Sequence, residues 1–231
     1  MERNNGPVNQ SNQEQTKQMA QEKRFKTPRG RLSFPYVFEP REAENPGDMQ
    51  KFSLSLILDA EAQKTPQWAA IKAEVATLAA AKFGVDVKQP DGTVKRVVPK
   101  GVRNPIRDGA EKLASDGVTP MEGYGPGTVF ISATSAYAPG VIGGDMKPCG
   151  PEEVYAGCYV RASLTVYAYE RKDGKGVTFG LRNVQKLGDG ESLAGGGGDP
   201  AKDFEPVEGF QRKAGTPAAA EFAQSDDPIP F

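Results

Sequence analysis

The amino-acid sequence predicts a mainly β fold carrying a single α-helix. Three observations point there: several stretches in which apolar and polar residues alternate, one stretch with helical spacing, and 27 glycines with 19 prolines that keep much of the chain in turns. At 231 residues with 37% apolar side chains, the chain fits one domain with long loops and loose ends better than two small domains.

Taken in order, residues 1–22 are rich in Asn, Gln, Glu and Lys, have almost nothing to bury, and are expected to be disordered. The first strand is RLSFPYVF, where alternation sets Leu32, Phe34, Tyr36 and Phe38 on one face, although Pro35 requires a sheet edge or a bulge. KFSLSLIL is the second, with Phe52, Leu54, Leu56 and Leu58 together and Ser53 and Ser55 facing away. The helix is TPQWAAIKAEVATLAAAKFG: Thr65 serves as N-cap, Pro66 takes the first helical position, Trp68, Ile71, Val75 and Leu78 form the buried stripe, and Gly84 closes it. Turn residues dominate from Val85 to Gly127, and QPDGTVKRVVPKGVRNPIRDG reads as a short hairpin or two extended arms.

TVFISATSAY is the third strand. The glycines of EGYGPGT ahead of it do not have phosphate-loop spacing, and no Gly-Lys-Ser/Thr follows, so a strained turn is expected. The fourth strand, CYVRASLTVYAYE, shows two clean faces. Val160, Ala162, Leu164, Val166 and Ala168 point one way, while Tyr159, Arg161, Ser163, Thr165, Tyr167 and Tyr169 point the other. An Asp173-Gly174 turn leads into the fifth strand, VTFGLRNV, with Val177, Phe179 and Leu181 inward. Five strands and one helix over residues 23–188 suggest an OB-fold-like five-stranded barrel, an architecture that binds oligonucleotides across a sheet face. The helix departs from the usual OB order, because it falls between the second and third strands.

Composition narrows the chemistry. Histidine is absent, which removes the commonest general base and metal ligand, so no cofactor and no metal are expected and enzymes are disfavoured. Adjacent acids such as Glu152 and Glu153 point to opposite faces of a strand and make a poor magnesium site. Cys149 and Cys158 form no C-x-x-C pair and are expected to be reduced and packed. No run of roughly eighteen apolar residues occurs, and MERNNGPVNQ lacks the apolar stretch of a signal peptide, so the expectation is a soluble cytosolic protein with no membrane partner.

The net charge of −1 divides unevenly. Residues 189–231 carry nine acids against three bases, a balance of −6, whereas the other 188 residues carry 26 bases and 21 acids, a balance of +5. A basic body with an acidic tail is the asymmetry of a nucleic-acid binder. Single-strand binders need rings for bases and cations for phosphates. Three places supply them. Tyr159, Arg161, Tyr167 and Tyr169 stand on the outer face of the fourth strand; Lys23, Arg24, Phe25, Lys26, Arg29 and Arg31 precede or open the first strand; and the long loop carries Lys88, Lys95, Arg96, Lys100, Arg103 and Arg107, expected as a groove wall.

After AGGGG, a flexible linker, the chain ends in Asp226, Asp227, Pro228, Ile229, Pro230 and Phe231. Acids steer toward a basic surface, the prolines stiffen the approach, and Phe231 offers a ring plus a carboxylate to a pocket, as a tethered docking peptide requires. DDPIPF resembles the terminal acidic tip of bacterial single-stranded DNA-binding proteins, which recruits replication and repair enzymes. The body, from about Arg24 to Leu193, is similar instead to a family of tailed-phage single-stranded DNA-binding proteins, on the stretches RGRLSFPYVFEP, NPIRDG, EVYAGCYVRASLTVYAYE and GLRNVQKLGDGESL. That resemblance implies an OB-fold and non-specific strand binding, without saying which side chains touch DNA.

The sequence therefore predicts a phage protein that coats single-stranded DNA in the cytoplasm of an infected host. It is expected to recruit replication and recombination proteins of phage or host through its tip, and self-association along DNA is compatible with this. Two rivals are a metal-dependent nuclease of recombination and a virion or scaffold interaction protein.

Overall fold

In the computed structural model of the chain, residues 23–43 and 49–193 are described. The N-terminal segment 1–22 lies outside them, as do the Gly-rich linker and the last six residues, expected as a docking tip, of the segment 189–231.

Chain order begins with β1 (Arg24–Lys26), β2 (Gly30–Arg41) and β3 (Lys51–Leu58), followed by helix α1 (Pro66–Phe83). Four short strands come next: β4 (Val85–Lys88), β5 (Val94–Val97), β6 (Val102–Arg103) and β7 (Ile106–Asp108). The remainder is β8 (Val129–Ser135), β9 (Gly140–Ile142), β10 (Tyr159–Arg171) and β11 (Gly174–Gly188). The five long strands are those expected from alternation, and they close on themselves. β2 pairs β3, β3 pairs β8, β8 runs parallel to β11, β11 pairs β10, and β10 returns to β2. That closure with one parallel contact is the OB-type barrel, and it leaves no open edge among these strands. The shorter β1, β6, β7 and β9 are added around it, while β4 and β5 form a separate hairpin.

The barrel is filled as the alternation requires. Leu54, Leu56 and Leu58 from β3, Val160, Ala162 and Leu164 from β10, and Val177, Phe179 and Leu181 from β11 are all buried in one cluster. A register shift next to Leu164 carries β11 across a bulge, so Val184 takes the following inward position.

Helix α1 lies against this cluster through Trp68, Ile71 and Val75, all buried, with Leu78 half-buried beside them. Thr65 Oγ1 accepts from the Trp68 backbone N–H at 3.3 Å, and Pro66 occupies the first turn. Gly84 ends the helix with extended backbone, φ −66°, so its value is space: a Cβ there would meet the Ala80 carbonyl and the Arg96 side chain. The glycines of EGYGPGT form a turn, with Gly123, Gly125 and Gly127 at φ of 80°, 153° and 83°.

Four local expectations are corrected. First, β2 does not keep its phase. Ser33 pairs Ser55 but Tyr36 pairs Ser53, so one extra residue is inserted at Phe34-Pro35; inward burial passes from Leu32 to Val37, and Phe34 and Tyr36 turn outward. Second, the β10–β11 turn is Lys172-Asp173, and Gly174, at φ 150°, already pairs Arg171. Third, the long basic segment is split between the β4–β5 hairpin, β6 on β11 and β7 on β8. Fourth, Phe25 is not a surface ring. β1 pairs β10 with Phe25 opposite Leu164, which puts the ring on the inward face, 8% exposed.

The packed chain continues to Leu193. Its side chain joins Ile57, Tyr124, Phe130 and Met121 in a small second cluster, and Arg31 donates to the Glu191 carbonyl at 2.7 Å.

Candidate nucleic-acid interface

The bulge in β2 builds the site. Phe34 holds φ of 50°, a left-handed conformation that a bulky residue seldom adopts, and Pro35 contributes no N–H to the ladder. Strain of this kind persists where surrounding structure enforces it, and here it presents two rings: Phe34 is 37% and Tyr36 39% exposed. Both line a groove of about 770 Å³ that crosses β2, β3 and β8.

The floor of the groove is made of small hydroxyl side chains, Ser53 and Ser55 from β3 and Ser132 and Thr134 from β8. Its walls are cationic. Arg41 and Lys51 stand at the ends of β2 and β3, Arg171 at the end of β10, and Arg107 and Lys112 on and after β7; Glu42 is the one carboxylate among the described lining residues.

Local packing sets these cations. β7 pairs β8 with Arg107 opposite Phe130, and the guanidinium lies 4.7 Å over that ring. Phe130 in turn meets Tyr124 edge-on at 5.2 Å. Asp108 then caps a short 3-10 turn, accepting from the Ala110 N–H at 2.9 Å, and this delivers Lys112 to within 5.2 Å of the Phe34 ring centre. Burial raises the Tyr124 phenol above its ordinary pKa, while the Ser33 and Ser55 hydroxyls beside it and Arg107 oppose the rise.

Of the residues expected to bind, Arg107 is the one that lines this groove. Lys95 and Arg96 belong to the separate hairpin, where Arg96 donates to the Ala80 carbonyl at 2.8 Å and to Asp86 at 3.3 Å. Lys100 lies between β5 and β6, and Arg103 is fixed at the barrel's hairpin end, donating to the Asp173 carbonyl at 3.1 Å. Lys23 pairs with Glu74 of α1 at 2.6 Å, whereas Arg24 and Lys26 are exposed beside buried Phe25.

The outer face of β10 keeps the alternation expected of it except at Thr165, which is buried. Arg29 stacks 3.4 Å over Tyr159, and Arg161 donates to Gln185 Oε1 at 2.7 Å. Tyr167 is exposed, and Tyr169 is half-buried with the Arg171 guanidinium 5.5 Å from its ring. Because Arg171 also lines the groove, the β10 face adjoins the groove at that end.

Sequence reasoning missed Phe34, Tyr36, Arg41, Lys51, Lys112 and Arg171 as a set. The usable signal for the β2 residues was Pro35, because a bulge there reverses the faces of those after it; Lys51, Lys112 and Arg171 come from other segments and carried no such signal.

The cysteines are unbridged, with Cys158 buried and Cys149 half-buried, and burial pushes both thiols up. Among the described residues no group of three His, Cys, Asp or Glu side chains is placed to hold a metal ion. Glu153 instead accepts from the Gly150 N–H at 2.9 Å.

Comparison with known proteins agrees with this architecture. Residues 23–214 match the family described as Enterobacter phage Enc34, ssDNA-binding protein. A protein designated p50, from Acyrthosiphon pisum secondary endosymbiont phage 1, is 28% identical over 183 residues, covering 77% of this chain and 90% of p50. The single-stranded DNA-binding protein from bacteriophage Enc34, solved in complex with ssDNA, shares the fold at TM-score 0.57 and 23% identity, over 73% of this chain and 88% of that one. The single-stranded DNA-binding protein gp2.5 of bacteriophage T7 does so at TM-score 0.50 and 13% identity, over 75% and 96% of the two chains. With the family match spanning most of its length and its barrel closing in the OB manner, the chain belongs to the family of the Enterobacter phage Enc34 ssDNA-binding protein.

Proposed function

We propose that this chain binds single-stranded DNA without regard to sequence and coats unpaired DNA during phage replication and recombination in the cytoplasm of the infected host. The observation that carries the reading is the groove across β2, β3 and β8, where Phe34 and Tyr36 stand exposed between Arg41, Lys51, Arg107, Lys112 and Arg171. The rings stack bases, each worth about 1–3 kcal/mol, and every base offers a face to stack. The cations meet phosphates, so affinity falls with salt at a slope of about −0.7 per phosphate neutralised. Beyond Arg171, Tyr169 and Tyr167 extend the path along the outer face of β10, toward Arg161 and Tyr159. Membership of a family whose named member is an ssDNA-binding protein supports the same reading.

The segment Asp226–Phe231 recruits replication or recombination proteins, on the argument of its acid-proline-aromatic chemistry. No step of this function requires a catalytic group or cofactor. A gel-shift series with single-stranded, duplex and RNA strands tests the assignment: single-stranded DNA is retarded most strongly, and total lack of oligonucleotide binding would favour the virion or scaffold alternative. Cleavage of labelled strands with magnesium or manganese would favour the nuclease.

A further inference from the structure

The groove floor has a regular chemistry of its own. Across the three strands, Tyr36 pairs Ser53 and Ser53 pairs Thr134; one row over, Ser33 pairs Ser55 and Ser55 pairs Ser132. Two adjacent rows of the sheet thus place small hydroxyl side chains side by side where barrel strands usually carry larger residues. Ser55 and Ser132 bond to each other at 2.9 Å, with either able to donate. Ser53 and Thr134 have no hydrogen-bonded side-chain partner among the described residues, and both are half-buried in the groove, while Ser132 is exposed there.

The four bases differ in the order of donors and acceptors along their edges. A lysine, arginine or carboxylate floor has fixed polarity and would prefer some bases over others. A hydroxyl rotates and can donate or accept, so it serves any edge, and its small size admits purine and pyrimidine alike. Tyr36 stands in the same row as Ser53, which sets the hydroxyls beside the space over that ring.

We propose that Ser53, Ser132 and Thr134, with buried Ser55 bonded beneath Ser132, form a floor that receives the edges of bases stacked on Phe34 and Tyr36, and that this floor makes the site indifferent to sequence. The proposal rests on the groove being the single-strand site. It assigns base tolerance to particular side chains, beyond the general tolerance of stacking.

The test measures fluorescence anisotropy on labelled poly-dT, poly-dA and poly-dC, and on an abasic strand of equal length. The variant is Ser53→Ala/Ser132→Ala/Thr134→Val, which removes three hydroxyls at nearly constant volume and leaves buried Ser55 in place. Expected is a loss of about tenfold on the base-bearing strands, as a few modest hydrogen bonds would give, with a wider spread between homopolymers than wild type and an unchanged abasic affinity. Unchanged affinity and spread overturn the proposal. So does an equal loss on the abasic strand, which would place the hydroxyls on the backbone. Should the triple variant not fold, Ser132→Ala alone is read the same way, with about a twofold loss expected from the exposed end of the row. If Phe34→Ala leaves wild-type affinity intact, the groove itself is not the site, an outcome separate from failure of the floor.

Discussion

At the scale of single residues, Phe34 separates binding from folding. Its ring is 37% exposed and its φ is 50°, so replacing it with glycine removes little packing and relieves the backbone. Phe34→Gly is expected to keep or raise the midpoint of thermal unfolding while weakening single-strand binding by about 1–3 kcal/mol, read by calorimetry and by strand titration. Phe25 is the opposite case. It is 8% exposed and faces Leu164, so Phe25→Ala should cost about 3 kcal/mol or more in a denaturant melt, with the folded fraction binding DNA as wild type does. Alternation grouped Phe34 with Leu32, and the basic residues around Phe25 pointed to a surface ring; the face each ring takes depends on strand pairing, which neither signal reports. Pro35 reverses the register for Phe34 and Tyr36, and the pairing of β1 with β10 turns Phe25 inward.

At the scale of elements, the long strands and the helix were legible because each carries its own periodicity and punctuation. Thr65 caps the helix and Pro66 starts it, as read; Thr65→Ala should lower stability by about 1 kcal/mol in a denaturant melt. The segment between Val85 and Gly127 was not legible, since short strands of two to four residues leave too few positions for alternation to show. Counting its basic residues suggested a single groove wall. Pairing with different strands disperses them: of the six residues expected to line a wall Arg107 alone reaches the groove, where Lys112 of the same segment joins it. Lys95→Ala and Lys100→Ala are therefore expected to change strand affinity by less than about twofold at physiological salt, where screening acts over roughly 8 Å. Arg107→Ala should reduce the salt slope by about 0.7, and a titration at several salt concentrations separates the two behaviours.

At the scale of the whole molecule, the barrel was readable from five alternating stretches, because a strand set of that number with one helix has few compact closures. The location of the groove was not readable, since it is built from the faces of β2, β3 and β8 together with residues from β7 and β10 that closure brings alongside. The chain contains no histidine, and lysine and arginine stay charged well above neutrality, so strand affinity should be flat from about pH 6 to 8, checked by titration in matched ionic strength. Removing Asp226–Phe231 should abolish capture of partner proteins from infected-cell extract. The central claim is that rings and cations in this one groove hold unpaired DNA, and a salt-dependent titration of poly-dT against wild type and Phe34→Ala/Arg107→Ala tests it most directly. Affinity is expected to fall about a hundredfold, from one lost stacking ring and one lost phosphate contact, with a shallower salt slope. Equal affinity and equal slope for the two proteins, both folded, would contradict it.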